Sequence, residues 1–183
     1  MYKYLMISLF VSTCFSKFLI GVDFSSEGGE NSQYEDLDIG FSLAYENNIG
    51  DKFGYGVEYL LPTEFEDYYV EVSMISLYGK YAFVKNENVI IYGKIGYSEP
   101  KYDIMNSFYN QLYPDLDYNY EIQHYVDSEG GFMYGLQFNF GPMNISFSNH
   151  ISNTKIGFYF DGNNYQIDDT DFGINRIKAS YSF

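Results

Sequence analysis

The chain has 183 residues, with ten Lys and Arg against 25 Asp and Glu and a formal net charge of −15. This length suits one domain, and the charge argues against a nucleic-acid-binding protein, because no basic patch is available to neutralise phosphates. Aromatic residues make up 21% of the chain, with 22 Tyr, 17 Phe and no Trp, so this acidic sequence is expected to fold rather than stay disordered.

The start of the chain is typical of an export signal. Lys3 precedes an apolar run from Leu5 to Phe15, which is shorter than the roughly 20 residues of a transmembrane helix. We predict a cleaved signal peptide over residues 1–16, with a mature domain over residues 17–183. The alternative is a lipoprotein signal with lipid on Cys14. Cys14 is the only cysteine, so cleavage after Ser16 leaves no disulfide or thiolate chemistry.

Beyond the signal, apolar and polar residues alternate with the period of a β-strand. Eight segments carry this pattern, the fourth and fifth more weakly: 18–25, 37–45, 53–61, 75–83, 89–97, 132–140, 143–150 and 176–183. Short turns connect them in alternation with longer connections that begin near Ser26, Pro62, Glu99 and Ile151. A meander with tight turns on one side and loops on the other is typical of outer-membrane barrels. We therefore predict an all-β fold, an eight-stranded antiparallel up-and-down transmembrane β-barrel.

The two faces of these strands differ in a way that assigns inside and outside. One face carries bulky apolar residues, and the other is mainly Gly, Ser, Ala and Asn with a few charges. An eight-stranded barrel has an interior just wide enough for side chains, so the small and charged residues suit the lumen and the bulky ones suit lipid. Because unpaired buried charges are costly, we predict an ion-pair network in the lumen. Its members are Asp23, Asp38, Glu58, Lys80, Lys94, Arg176 and Lys178; the alternative is that some of them lie at the rims and are solvated.

Three stretches resemble small outer-membrane β-barrel proteins of Gram-negative bacteria, the OmpA/OmpX-like barrels of the "porin family". They are Tyr78 to Ser98, "GGFMYGLQFNF" from Gly130 to Phe140, and the ending "YSF". The resemblance implies a location in the cell outer membrane, contact with membrane lipid and lipopolysaccharide, and an assembly signal at Tyr181 and Phe183 that the outer-membrane assembly machinery reads. We expect no enzymatic activity and a monomer.

The loops supply the only further indication of function. Most acidic residues fall in the four long connections, and the third, Glu99 to Glu129, is rich in tyrosine. Tyrosines give amphipathic contact area at low entropic cost, so a structural or surface-interaction role with a possible extracellular partner is expected. Acidic clusters such as Asp168 to Asp171 lack the spacing of an EF-hand. We predict no cofactor and no metal.

Two alternatives remain. The stretch "NHISNT" is similar to the His-x-Ser-Asn motif of outer-membrane lipid A deacylases, which implies Ser152 as nucleophile, His150 as base and Asn153 at the oxyanion. Asn175 stands at the place of the expected orienting acid in this chain, so Asp171 or Asp169 would have to substitute for it. The third possibility is a soluble, exported ligand-binding β-barrel, in which the large apolar residues would form the core.

Overall fold

The computed structural model describes residues 16–27, 38–65, 70–104, 123–160 and 163–183, and every regular element in these ranges is a β-strand. The strands are β1 Ser16–Glu27, β2 Asp38–Ile49, β3 Phe53–Phe65, β4 Val70–Lys85, β5 Ile90–Ile104, β6 Gln123–Glu129, β7 Gly131–Phe140, β8 Met143–Phe160 and β9 Asn163–Ser182. These ranges contain no helix of the length and apolarity needed to cross a membrane.

The strands form one closed sheet. Neighbours in the order β1-β2-β3-β4-β5-β7-β8-β9 pair antiparallel, and β9 returns to β1 with Leu19 opposite Ser182. The amide of Phe183 donates to the carbonyl of Phe18 at 2.9 Å and extends this seam to the last residue. Because the sheet closes on itself, its main ladder has no open edge. The predicted eight-stranded antiparallel barrel is confirmed.

Nine strands fit an eight-stranded wall because β7 continues the course of β6. Strand β6 pairs with the distal part of β8, with Glu129 opposite Asn153, whereas β7 begins its ladder with Met133 opposite His150. The register moves by one residue across Gly130, as in a β-bulge. Strands β6 and β7 therefore make one interrupted position in an eight-stranded wall.

The short turns all lie at one end, as the sequence predicts. They are residues 50–52, 86–89 and 141–142. Gly141 has a φ of +62°, the left-handed region that glycine adopts without strain. In the second turn, Asn86 Oδ1 accepts hydrogen bonds from the amides of Asn88 at 3.0 Å and Val89 at 2.8 Å, which is an Asx-type turn.

At the opposite end the structure differs from expectation. The connection after Ile151 was expected to be a long loop, but β8 and β9 stay paired as far as Phe160 and Asn163. The segment's many polar residues mask a remaining period-two pattern at Ile156, Phe158 and Phe160.

Several predictions lie outside the described residues. They include the signal peptide apart from Ser16, the lipidation alternative at Cys14, and most tyrosines of the third connection. Among the tyrosines of the third connection, Tyr102 belongs to the described residues, where it lies in β5 and is buried.

The two faces of the wall have the predicted character. The outward positions of the strands carry large exposed side chains, as at Ile39, Phe41, Ile95 and Phe132. The inward positions are buried and hold Gly, Ser, Asn and the charged residues. Bulky apolar surface on the outside of a closed barrel is the arrangement that a hydrocarbon environment requires.

Candidate functional site: the charged lumen and the lipid-facing wall

Glu58 of β3 is the centre of a buried ion cluster. Its Oε1 lies 2.7 Å from Arg176 Nη1, and its Oε2 accepts from Lys178 Nζ and lies 3.9 Å from Lys94 Nζ. Arg176 also donates through Nη2 to Asp23. The five side chains are at most 5% exposed. One carboxylate thus compensates parts of three cations, and Asp23 compensates the rest of Arg176.

A second cluster surrounds Glu46 of β2. Lys80 Nζ and the Tyr78 hydroxyl both donate to its carboxylate, the latter at 2.7 Å, and Gln137 Nε2 lies 3.3 Å from Oε2. Sequence reasoning missed Glu46 because it follows Tyr45 in a stretch that reads as a turn. In the structure both Glu46 and Asn47 are buried, so strict alternation breaks there.

Aromatic rings connect the two clusters. Lys94 Nζ lies 3.8 Å from the centroid of the Tyr78 ring, and Lys80 Nζ lies 4.7 Å from that of Tyr92. Both distances fall within the range of a cation–π contact. The Tyr78 ring lies along the inner wall over Gly56 of the neighbouring strand β3, where an added Cβ would lie 2.5 Å from Tyr78 Cζ. A glycine at position 56 therefore makes room for the ring that links Glu46 to Lys94.

Of the residues predicted for the lumen network, the structure brings six into these ion pairs: Asp23, Glu58, Lys80, Lys94, Arg176 and Lys178. Asp38 is half-buried at the first residue of β2, at the opposite end of that strand from Glu46. The alternation of inward and outward positions along each strand identified the members of the network. Their pairings depend on which strands lie across the lumen from each other.

On the loop side of the charged layer large apolar side chains join the inward positions. Leu60, Val72, Met74, Met133 and Ile174 are each at most 2% exposed. On β3, Leu60 follows Glu58 at the next inward position toward the loops. Buried polar residues lie at the same level, since His150 is opposite both Met133 and Ile174. The lumen therefore contains a charged layer with a mixed layer of apolar and polar side chains beyond it.

The residues of the deacylase-like alternative have other partners. His150 Nδ1 lies 2.8 Å from Ser98 Oγ, and its Nε2 lies 2.9 Å from Ser148 Oγ. Ser152 Oγ lies 3.3 Å from the Tyr102 hydroxyl. His150 and Ser152 are both buried on the lumen side. The backbone register puts Asn153 opposite Asp171. Both ring nitrogens of His150 thus lie within hydrogen-bond distance of serines other than Ser152.

No group of three or more His, Cys, Asp or Glu side chains in the described part of the chain is arranged to hold a metal ion. The carboxylates of the lumen face ammonium and guanidinium groups instead.

The outer wall changes character at the loop end. Along the outward positions of β5, Ile95 and Tyr97 are 59% and 49% exposed, and the next are Glu99, Lys101 and Asp103, all exposed. Lys101 Nζ lies 2.6 Å from Asp103 Oδ2, and this hydrogen bond raises the pKa of Lys101 above its usual value. The switch from aromatic to charged residues marks the border of the apolar belt.

At the turn end the belt finishes on aromatic rings. Tyr181 and Phe183 are both exposed, and their ring centroids lie 5.0 Å apart. Phe183 is 73% exposed and belongs to the closing seam of the barrel through its amide. The residues predicted to form the assembly signal are thus accessible on the outer face, where the role itself stays a prediction.

No family model and no curated protein sequence matches this chain. Among solved structures, the outer membrane protein OprG from Pseudomonas aeruginosa aligns with a TM-score of 0.61 and 15% identity, covering 92% of this chain and 96% of OprG. Neisserial surface protein A aligns with a TM-score of 0.49 and 9% identity over 91% and 95% of the two chains. E. coli outer membrane protein W gives 0.43 and 10% over 92% and 98%.

The alignment with OprG supports the fold described above, a small barrel of the outer-membrane type. Together with the exposed apolar belt, it confirms the prediction of a small outer-membrane β-barrel. The soluble-barrel alternative is wrong, because the large apolar residues cover the outside of the barrel and the charged residues fill the inside.

Proposed function

We propose that this barrel acts in the outer membrane as a closed, non-enzymatic structural or surface-interaction protein that holds acidic, tyrosine-containing segments at the cell surface. The proposal treats the wall and lumen as a stable support, and the loop end as the part that meets other molecules. Lipopolysaccharide is the expected neighbour in the membrane, and the assembly machinery is the expected reader of Tyr181 and Phe183. We expect a monomer.

The observation that carries this proposal is the filled lumen around Glu58. Each ion pair there joins strands on different parts of the wall, as in the contacts of Glu58 on β3 with Arg176 and Lys178 on β9. An ion moving through the barrel would have to separate buried charges, at a cost of several kcal/mol. It would then have to pass the mixed layer, in which the large side chains of Leu60 and Met74 are buried.

The test of a closed barrel is conductance in planar bilayers. The wild-type protein, folded in detergent and inserted, should give no stable current steps in symmetrical KCl. A double variant, Glu58→Ala with Arg176→Ala, removes a facing pair of large side chains and should produce steps. Asp51→Ala at an exposed turn is the matched control and should stay silent. Stable steps from the wild-type protein would refute the closed lumen.

The surface-interaction part needs a separate test. Residues 105–122 supply four of the tyrosines of the third connection, and their exchange for a Gly/Ser linker of equal length should reduce binding of expressing cells to host or abiotic surfaces. Barrel folding serves as the control, because the unboiled and boiled forms should still migrate differently on a gel. Unchanged binding by a folded variant would remove this segment from the proposal.

The non-enzymatic part is supported by the hydrogen bonds of His150, which join it to Ser98 and Ser148. We expect lipid A to keep its ester-linked chains in cells that express the protein. If lipid A loses a chain, and Ser152→Ala restores it while Ser146→Ala does not, the deacylase-like alternative replaces this proposal.

A further inference from the structure

A groove of about 640 Å³ runs over the outer wall where β7, β8, β9 and β1 meet. Its floor includes the backbone at Gly135 and Ser148, two small inward residues that face each other across the β7–β8 ladder. Lys94 and Arg176 also border the floor, but their side chains point into the lumen and are 2% and 1% exposed. The groove therefore offers lipid an uncharged surface.

The walls of the groove form two neighbouring rows with different chemistry. The row nearer the turn end is apolar, and the ladders align it as Phe24, Ile177, Phe147 and Leu136. The row nearer the loop end is polar, and the same ladders align it as Ser26, Asn175, Asn149 and Tyr134. The groove is thus amphipathic along the direction of the membrane normal.

The polar row lies inside the apolar belt. Farther toward the loops, Ile151 on β8 and Phe132 on β7 are again apolar and 43% and 48% exposed. Asn149 Nδ2 donates a hydrogen bond to Asn175 Oδ1 at 2.7 Å. One bond uses one of the four N–H donors of two amides. The remaining donors face a region where unsatisfied polar groups are costly.

We propose that this groove is a specific site for an ester-linked acyl chain of lipopolysaccharide in the loop-side leaflet, and a diester phospholipid that carries the same acyl ester serves as its probe. The chain lies along Phe24, Ile177, Phe147 and Leu136, and the ester carbonyl accepts hydrogen bonds from Asn149 and Asn175. An ester fits better than a phosphate, because the polar row lies below the outermost apolar residues and no cationic side chain opens to the groove. This site is independent of the closed-barrel proposal, which concerns the lumen.

The test counts lipids retained by the detergent-solubilised protein in native mass spectrometry after refolding in defined vesicles. Vesicles of diester phosphatidylethanolamine should leave one retained lipid on the wild-type protein. The diether analogue with the same chains lacks the carbonyl acceptors and should be retained about fivefold less, the effect of about one hydrogen bond. The double variant Asn149→Leu/Asn175→Leu should lose the preference for the diester lipid.

Asn88→Leu in an exposed turn is the matched control and should behave as the wild type. Equal retention of diester and diether lipids by the wild-type protein would overturn the proposal, and this measurement needs no variant to fold. Equal diester retention by the wild type and a folded double variant would also overturn it. A dimer that the double variant converts to monomer would overturn it in favour of a second copy of the chain as the occupant.

Discussion

Glu58→Gln tests the idea that the buried carboxylate at the centre of the lumen holds several strands together. The change keeps the shape of the side chain and removes its charge. In the structure this carboxylate is 2.7 Å from Arg176, accepts from Lys178 and lies 3.9 Å from Lys94. Removing one member of a buried ion pair costs about 3–5 kcal/mol, because the remaining charge is left uncompensated in a low-dielectric site.

The expected cost for this variant is near the lower bound, about 3 kcal/mol. In the variant Arg176 still has the Asp23 carboxylate as a partner, and Lys94 still lies over the Tyr78 ring. Lys178 therefore loses the largest part of its charge compensation. With a urea dependence of about 2 kcal/mol per molar, the unfolding midpoint should fall by about 1.5 M. The assay is urea unfolding in phospholipid vesicles, followed by the gel mobility of the unboiled folded band.

Asp51→Asn is the matched control, because it makes the same acid-to-amide change in an exposed pair. Asp51 Oδ1 lies 3.0 Å from Lys85 Nζ with side chains 90% and 49% exposed, and exposed pairs of this kind often contribute nothing measurable. Adding Lys178→Met to Glu58→Gln should recover part of the loss, since it removes the stranded charge. If Glu58→Gln and Asp51→Asn unfold at the same urea concentration, the structural importance assigned to the ion cluster is wrong.

Three further outcomes follow from the same geometry. Gly56→Ala should displace the Tyr78 ring and lower the free energy of unfolding in urea by about 1–3 kcal/mol. Gly79→Ala is the control and should be neutral, because the nearest contact of its added Cβ is a backbone oxygen at 4.0 Å. Equal effects of the two variants would contradict the packing argument. Tyr78→Phe should cost about 1.5–3 kcal/mol through the lost bond to the Glu46 carboxylate, and no change in the urea midpoint would speak against that bond. Deletion of Phe183 should reduce the amount of folded protein in isolated outer membranes while leaving refolding in detergent nearly unchanged, and normal membrane levels would remove the assembly role.

The strands and their faces could be predicted because a half-lipid, half-lumen wall imposes a strict period of two. Asp23, Glu58, Lys94 and Arg176 were placed in the lumen by parity alone. Their pairing could not be predicted in the same way, because Glu58 and Lys178 are 120 residues apart and meet only after β9 closes on β1. Parity reports the face of a residue, whereas its level in the barrel depends on strand tilt and stagger.

Two features that the sequence did not predict, Glu46 in the lumen and the long pairing of β8 with β9, have physical causes as well. Glu46 was read as part of a turn because the run of polar residues after it outweighs the strand pattern. The long β8–β9 pairing was read as a loop because residues above the membrane border no longer need apolar outward positions. In the β8–β9 extension, contact with water removes the pressure that keeps the alternation visible in the sequence, whereas Glu46 and Asn47 are buried inside the barrel.

The extension of β8 and β9 beyond the apolar belt sets how far this hairpin projects from the membrane. An 18-residue strand measures about 60 Å, and at a tilt of about 40° it rises about 45 Å, against an apolar band about 25 Å tall. With β6 paired to its outer part, the hairpin continues as a three-stranded ribbon roughly 15–20 Å past the hydrocarbon. Ordering the backbone costs about 1–2 kcal/mol per residue in lost conformational entropy, and the pairing of β6, β8 and β9 already offsets this cost. A molecule that meets the paired residues of this ribbon therefore contacts backbone that has little conformational entropy left to lose.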